Sequence, residues 1–116
     1  MPLTEGIILQ LHRNLYKYSS GRSGIWKTQD NIIEEILPDG SKYRFKPVGA
    51  FSTPIYMSDL CARYREEIIN EEVDDLVLIS SFILDFLCIH PFNDGNGRMA
   101  RIEPLALFKH VLYCCD

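Results

Sequence analysis

The feature that most restricts the fold is an apolar run from about Glu72 to Ile89, which reads as one helix and stops at His90-Pro91. Val73, Leu76, Val77, Ser80, Ile83, Leu84 and Leu87 recur at helical spacing, and Ile79, Phe82 and Phe86 add a second apolar face. A helix apolar on two faces has to be covered on both, so the pattern predicts a buried central helix whose C-terminus delivers His90 into a loop. Its most apolar part, Leu76 to Leu84, is broken by Ser80 and Ser81 and bounded by Asp75 and Asp85. That is too short to span a bilayer, and no membrane partner is expected.

With 116 residues, 47% of them apolar, the chain (1–116) has material for a single domain with one modest core. Around the central helix the sequence places a first helix, capped by Thr4 and running to about Tyr18, with Ile7, Ile8, Leu11, Leu15 and Tyr18 on one face. Ser19 to Gly24 ends it. Ile32 to Ile36 and Tyr43 to Lys46 flank Pro38-Asp39-Gly40, which presets a turn, so residues 31 to 47 predict a β-hairpin. A second helix opens at Pro54 or Ser58 and runs to about Asn70.

Net charge is −4, with acidic and basic residues mixed, which argues against a general electrostatic grip on nucleic acid. Any phosphate has to be caught locally. Cys61, Cys88, Cys114 and Cys115 show no C-x-x-C spacing, so neither a zinc cage nor a disulfide framework is indicated. The start, Met1-Pro2-Leu3-Thr4-Glu5, lacks the basic and apolar runs of a secretion signal, and a cytoplasmic location is the expectation.

Chemistry concentrates between His90 and Arg101. Gly95-Asn96-Gly97 lets the backbone turn its N–H groups toward one point, and a helix starting there would add unpaired amides and a dipole that favour an anion. Asp94 is a hard oxygen ligand suited to magnesium, an ion that keeps most of its waters and takes further ligands from phosphate. Arg98 and Arg101 fall on neighbouring positions of a helical turn and can fork onto phosphate oxygens. His90, as an imidazole with an ordinary pKa of about 6.5, can accept a proton from an attacking hydroxyl. Each residue taken alone has an ordinary structural explanation; their fixed order together points to phosphate chemistry.

The segment His90-Pro91-Phe92-Asn93-Asp94-Gly95-Asn96-Gly97-Arg98-Met99-Ala100-Arg101 resembles, without a mismatch, the signature H-P-F-x-[DE]-G-N-G-R-x-x-R of the Fic family of AMP-transferring enzymes. Similarity extends upstream through Leu11-His12-Arg13-Asn14-Leu15 and Gly24-Ile25-Trp26-Lys27, and so covers most of the chain. The resemblance implies a mainly α domain in which the loop joins two central helices and a β-hairpin flap lies over it. By position, His90 would deprotonate a protein hydroxyl, and Asp94 would hold magnesium. Gly95, Asn96, Gly97, Arg98 and Arg101 would bind the phosphates of ATP. Phe92 would anchor the loop, as its apolar side chain also suggests. The flap strand Ile32 to Ile36 would pair with an extended segment of the protein substrate, setting a Ser, Thr or Tyr hydroxyl in line with the α-phosphate.

After its signature the family continues as a long apolar helix, whereas here Ile102-Glu103-Pro104 follows. A proline two turns into a helix costs about 3 kcal/mol or kinks it, and Glu103 is expected to turn extended, leaving the aim of Arg101 in question. The chain also stops at Asp116, before the family's further helices, so a C-terminally truncated copy is expected, with exposed apolar surface that favours self-association. The alternative function is a catalytically inactive remnant that binds nucleotide or a partner. Glu5-Gly6 is the only pair that resembles part of the family's restraining [ST]-x-x-x-E-[GN] helix, but Met1 stands where Ser or Thr is required. Restraint would therefore come from an inhibitory partner or another segment. Transfer of a different phosphate-containing group is the nearest chemical rival, disfavoured by the intact Gly95-Asn96-Gly97. A metal hydrolase built on His90, Asp94, His12 and His110 lacks the helical His-x-x-x-His spacing.

Overall fold

A computed structural model describes residues 3–18, 22–70 and 72–104. Helix α1, Glu5–Leu15, starts where Thr4 stays extended (φ −130°, ψ 163°) and its hydroxyl accepts the Ile7 N–H at 3.3 Å. Ile8 and His12 are its buried residues. It ends short of Tyr18 because Tyr16 leaves helical geometry (φ −104°, ψ 19°) and Tyr18, 94% exposed, has no burial to hold another turn.

Strands β1, Ile33–Ile36, and β2, Lys42–Phe45, form the expected antiparallel hairpin, with Glu34 opposite Arg44 and Glu35 opposite Tyr43. The turn closes through Gly40 at φ +85°, and Asp39 accepts the N–H and hydroxyl of Ser41. Residues 34–36 and 42–44 are exposed on both faces, so the hairpin stands out as a flap. Its root is tied to the body by Asp30, whose carboxylate accepts the Ala50 N–H at 2.7 Å.

A 3-10 turn, Ala50–Ser52, leads into α2, Thr53–Asn70. The start just ahead of Pro54 settles the choice between Pro54 and Ser58, since a proline in the first turn forfeits no helical bond. Thr53, Met57, Leu60, Cys61 and Tyr64 form the buried face, and burial pushes the Cys61 thiol up to about 12, leaving it an inert packing group. Helix α3, Asp75–Ile89, begins later than Glu72 because Asp74 caps it, accepting the Leu76 N–H at 2.9 Å. Its core face is Leu78, Ile79, Phe82, Phe86 and Ile89, with Phe82 meeting the Tyr64 ring edge-on at 5.3 Å. The expected burial on both faces does not hold. Leu76, Val77 and Leu84 are 57%, 53% and 63% exposed, because the buried residues of α1, α2 and the C-terminal loop all join the Ile79–Phe82–Phe86 side. No helix among the described residues is long and apolar enough to cross a membrane.

A fourth helix, α4, covers residues 96–104. It corrects the expected break, since both Glu103 and Pro104 are helical. Met99 and Glu103 lie on the face turned into the core, 0% and 2% exposed, and this packing outweighs the local preference of a residue before proline. Neither Glu103 oxygen has a hydrogen-bond partner among the described residues, and burial raises its carboxyl well above the ordinary range. Burial thus favours the neutral form of the group when folded, whereas near pH 7 it is ionised when unfolded. It costs nothing below the ordinary glutamate value and destabilises as pH rises above it. Glu103→Met is expected to stabilise the chain by about 1–3 kcal/mol at pH 7 and by much less at pH 4, in urea titrations. An equal effect at both values would show that Glu103 is not buried neutral.

Candidate active site

The loop between α3 and α4 is shaped from inside. His90 ends α3 in the left-handed region (φ 53°, ψ 62°), a conformation costing a non-glycine residue about 1–2 kcal/mol, while its N–H still donates to the Phe86 carbonyl at 2.9 Å. Pro91 forbids another helical turn. Phe92 is fully buried, its ring stacked on that of His12 at 3.8 Å and 2°, with Trp26 and Phe86 tilted against it at 5.4 and 6.3 Å. The anchor role expected of Phe92 has this physical basis.

Asn96 is 3% exposed, and its side chain points inward. Its Oδ1 accepts the Phe92 N–H at 2.8 Å, and its Nδ2 donates to the Phe92 carbonyl at 2.7 Å. The side chain is therefore committed to bracing the loop, and the Asn96 main-chain N–H is what remains to face an anion, as expected of the backbone here.

Four residues outside the His90–Arg101 segment, His12, Lys27, Thr28 and Asn31, bond to the loop. The Gly24 N–H donates to His12 Nδ1 at 3.0 Å, so Nε2 carries the proton and donates to the Asp94 carbonyl at 2.9 Å. Both ring nitrogens are used, which removes His12 from the metal-hydrolase set; His110 lies outside the described residues, among which no cluster of three or more metal-ligating side chains occurs. Lys27 and Asn31 bond the carbonyls of Ile89, His90, Pro91 and Phe92, and the Thr28 N–H donates to Asn93 Oδ1 at 3.2 Å. Sequence reasoning gave Lys27 and Asn31 no role. A buried lysine has no signature of its own; the signal lay only in the similarity of Gly24 to Lys27 to family sequences.

The outer side of the loop carries the expected chemistry. Asp94 is exposed, one oxygen accepting the Gly95 N–H at 2.9 Å and the other without a hydrogen-bond partner among the described residues. Gly95, at φ +87°, starts α4 by accepting the Met99 N–H at 2.9 Å. A Cβ at Gly95 would lie 2.5 Å from Tyr16 Oη, whereas one at Gly97 would meet open space. The first-turn N–H groups of Asn96, Gly97 and Arg98 precede any intrahelical partner and are free to face an anion. Arg98 and Arg101 are exposed beside it, with the Arg98 guanidinium 5.9 Å from the Tyr16 ring centre. His90 Nδ1 is buried without a hydrogen-bond partner among the described residues. Burial, and next the Lys27 charge, lower the His90 pKa from its ordinary value, against a smaller opposite pull from the Leu87 carbonyl. The imidazole is therefore uncharged near neutral pH and able to take a proton.

The family profile described as "Fic/DOC family" matches residues 2–103. A Fic domain containing signaling protein from Bacteroides thetaiotaomicron VPI-5482 superposes with a TM-score of 0.75 at 29% identity, over 88% of this chain and 37% of that one. A Fic family protein from Desulfovibrio desulfuricans G20 gives 0.70 at 25% identity, over 92% and 30%. The type IV secretion system effector protein BepA gives 0.70 at 16% identity, over 95% and 40%, a likeness of fold alone. A curated relative, the ribonucleoside-diphosphate reductase small chain of Ostreid herpesvirus 1, is 59% identical over 29 residues, 25% of this chain and 5% of that protein. The chain thus spans well under half the length of each.

Asn96→Ala is expected to lower stability by about 1–3 kcal/mol in urea unfolding, because it leaves the buried Phe92 N–H unpaired and its carbonyl with the Asn31 bond alone. Unchanged stability would mean that the side chain does not brace the loop.

Proposed function

The chain belongs to the Fic/DOC family, and on that premise we propose that it moves AMP from ATP onto a Ser, Thr or Tyr hydroxyl of a protein. The observation that carries this reading is an uncharged His90 on the same braced loop as an open carboxylate, Asp94, and the free amides that start α4. In this reaction His90 takes the proton of the attacking hydroxyl. The hydroxyl oxygen forms a bond to the α-phosphorus of ATP as the bond to the bridging oxygen breaks, and pyrophosphate leaves with that electron pair. The Asn96, Gly97 and Arg98 amides, with the Arg98 and Arg101 guanidinium groups, hold the phosphates and offset the charge that builds on them.

Asp94 fits a magnesium ion: it is a single exposed carboxylate with one oxygen uncommitted, next to the phosphate site, as an ion that keeps its waters requires. Bound there, magnesium would supply charge neutralisation for the phosphate oxygens. The flap offers β1 as an edge for an extended protein segment, paired through its main chain. Family members are generally transferases acting on proteins; the particular target, AMP as the group moved, and a cytoplasmic setting are parts of the proposal. An inactive, nucleotide-binding remnant gains nothing from Pro104, since Arg98 and Arg101 both lie in continuous helix.

Purified protein incubated with magnesium and ATP labelled at the α-phosphate, alone and with lysate, is expected to place label on protein. His90→Ala should reduce the rate by roughly 10²- to 10⁴-fold. Label from the γ-phosphate instead would indicate phosphoryl transfer, and α-label indifferent to His90→Ala would remove His90 as the base. The base works uncharged, so the rate should climb with pH and level off, with a midpoint below 6.5. A midpoint above 6.5 in the pH–rate profile would contradict the burial of His90.

A further inference from the structure

The segment joining α1 to the hairpin contains a buried cation at the foot of the loop. Lys27 is 4% exposed, although lysine is among the residues least often buried. Its ammonium donates to the Ile89 carbonyl at 3.0 Å and to Asn31 Oδ1 at 2.9 Å, and its main-chain N–H donates to the Pro91 carbonyl at 2.7 Å. Asn31 Nδ2 in turn donates to the His90 and Phe92 carbonyls, both at 3.3 Å. The carbonyls of Ile89, His90, Pro91 and Phe92 are thus all satisfied from residues 27 and 31. Two of them are among the last carbonyls around the α3 terminus, where a cation is favoured by the helix dipole. A left-handed non-glycine residue persists only where its surroundings over-determine it, and these bonds are the surroundings of His90.

We propose that Lys27, acting with Asn31, is a positioning residue: it clamps the backbone on both sides of His90 and so fixes where that imidazole stands relative to Asp94 and the α4 amides. The inference rests on the reading of His90 as the base. Geometry and charge work together here. Lys27 is the charged group that acts on His90 among the described residues, disfavouring a second cation beside it, while Asp30 acts on Lys27 in the opposite sense. Lys27 itself titrates below the ordinary lysine value because of its burial, partly offset by Asp30. An apolar side chain at position 27 would supply neither the ammonium tether nor the charge, leaving only the main-chain bond to Pro91.

The test uses Lys27→Met, Lys27→Arg and Asn31→Ala, read in two ways that need no substrate. The His90 titration, followed by NMR at its ring carbon, is expected to move to higher pH in K27M, and to stay near the parent value in K27R and N31A. Amide exchange at His90 and Phe92 is expected to accelerate about tenfold or more in K27M and N31A, because the tethers are lost. Transfer of α-label should fall roughly 10- to 100-fold in both, as expected for a misplaced catalytic group. A His90 midpoint and exchange rates unchanged in K27M would overturn the proposal. Should K27M fail to fold, N31A decides: no acceleration at His90 and Phe92 overturns it. If the parent chain transfers no label at all, the transferase reading fails by itself, and titration and exchange still decide the role of Lys27.

Discussion

Burial of Phe92 is the contact on which the rest depends. Its ring lies flat on His12, with Trp26 and Phe86 closing the sides, and it brings α1, α3 and the segment before the hairpin to one point. Its own N–H and carbonyl would be costly at this depth, and the Asn96 side chain satisfies both. That pair of bonds also fixes Asn96 at the start of α4, so packing the aromatic ring and starting the helix are one event. An apolar anchor without the brace would leave the buried Phe92 N–H unpaired, and a brace without the anchor would have nothing to hold.

The same device separates an inner from an outer side of the loop. Inward-facing groups are spent on structure: Phe92, Asn96, Met99, and His12 with both nitrogens engaged. Outward lie Asp94, Gly97, Arg98 and Arg101, exposed and lightly bonded. His90 stands between, half-buried, in a conformation that the chain tolerates because neighbouring carbonyls are tied down. Backbone amides held this way need not reorganise when charge develops near them, which is the condition under which such donors stabilise an anion most.

Two features show how tertiary packing overrides local rules. Helix α3 carries apolar residues on two faces, yet among the described residues the Ile79–Phe82–Phe86 side is the one fully covered, while Leu76, Val77 and Leu84 stay exposed. Helix α4 continues through Glu103 and Pro104, with a carboxyl in the core, because Met99 and the turn around it are already packed. Periodicity reports which faces are apolar but not which face finds a partner. Propensity reports a local preference of a few kcal/mol at most, which a packed turn can exceed.

Much was legible in the sequence because its cause is local. Thr4 as a cap, the Pro38-Asp39-Gly40 turn, the hairpin, and the order of His90, Asp94, the glycines and the arginines all follow from residue chemistry at fixed spacing. The mainly helical, flap-bearing fold followed from those signals and from the family resemblance. What the tertiary structure decided was direction: that the Asn96 side chain turns inward to brace Phe92, that His12 holds a carbonyl rather than a metal, and that Lys27 and Asn31 reach a loop some sixty positions away. Long-range pairings leave no periodic trace in a single sequence, since nothing about a lysine at position 27 says which carbonyl it will meet until the core has closed around Phe92.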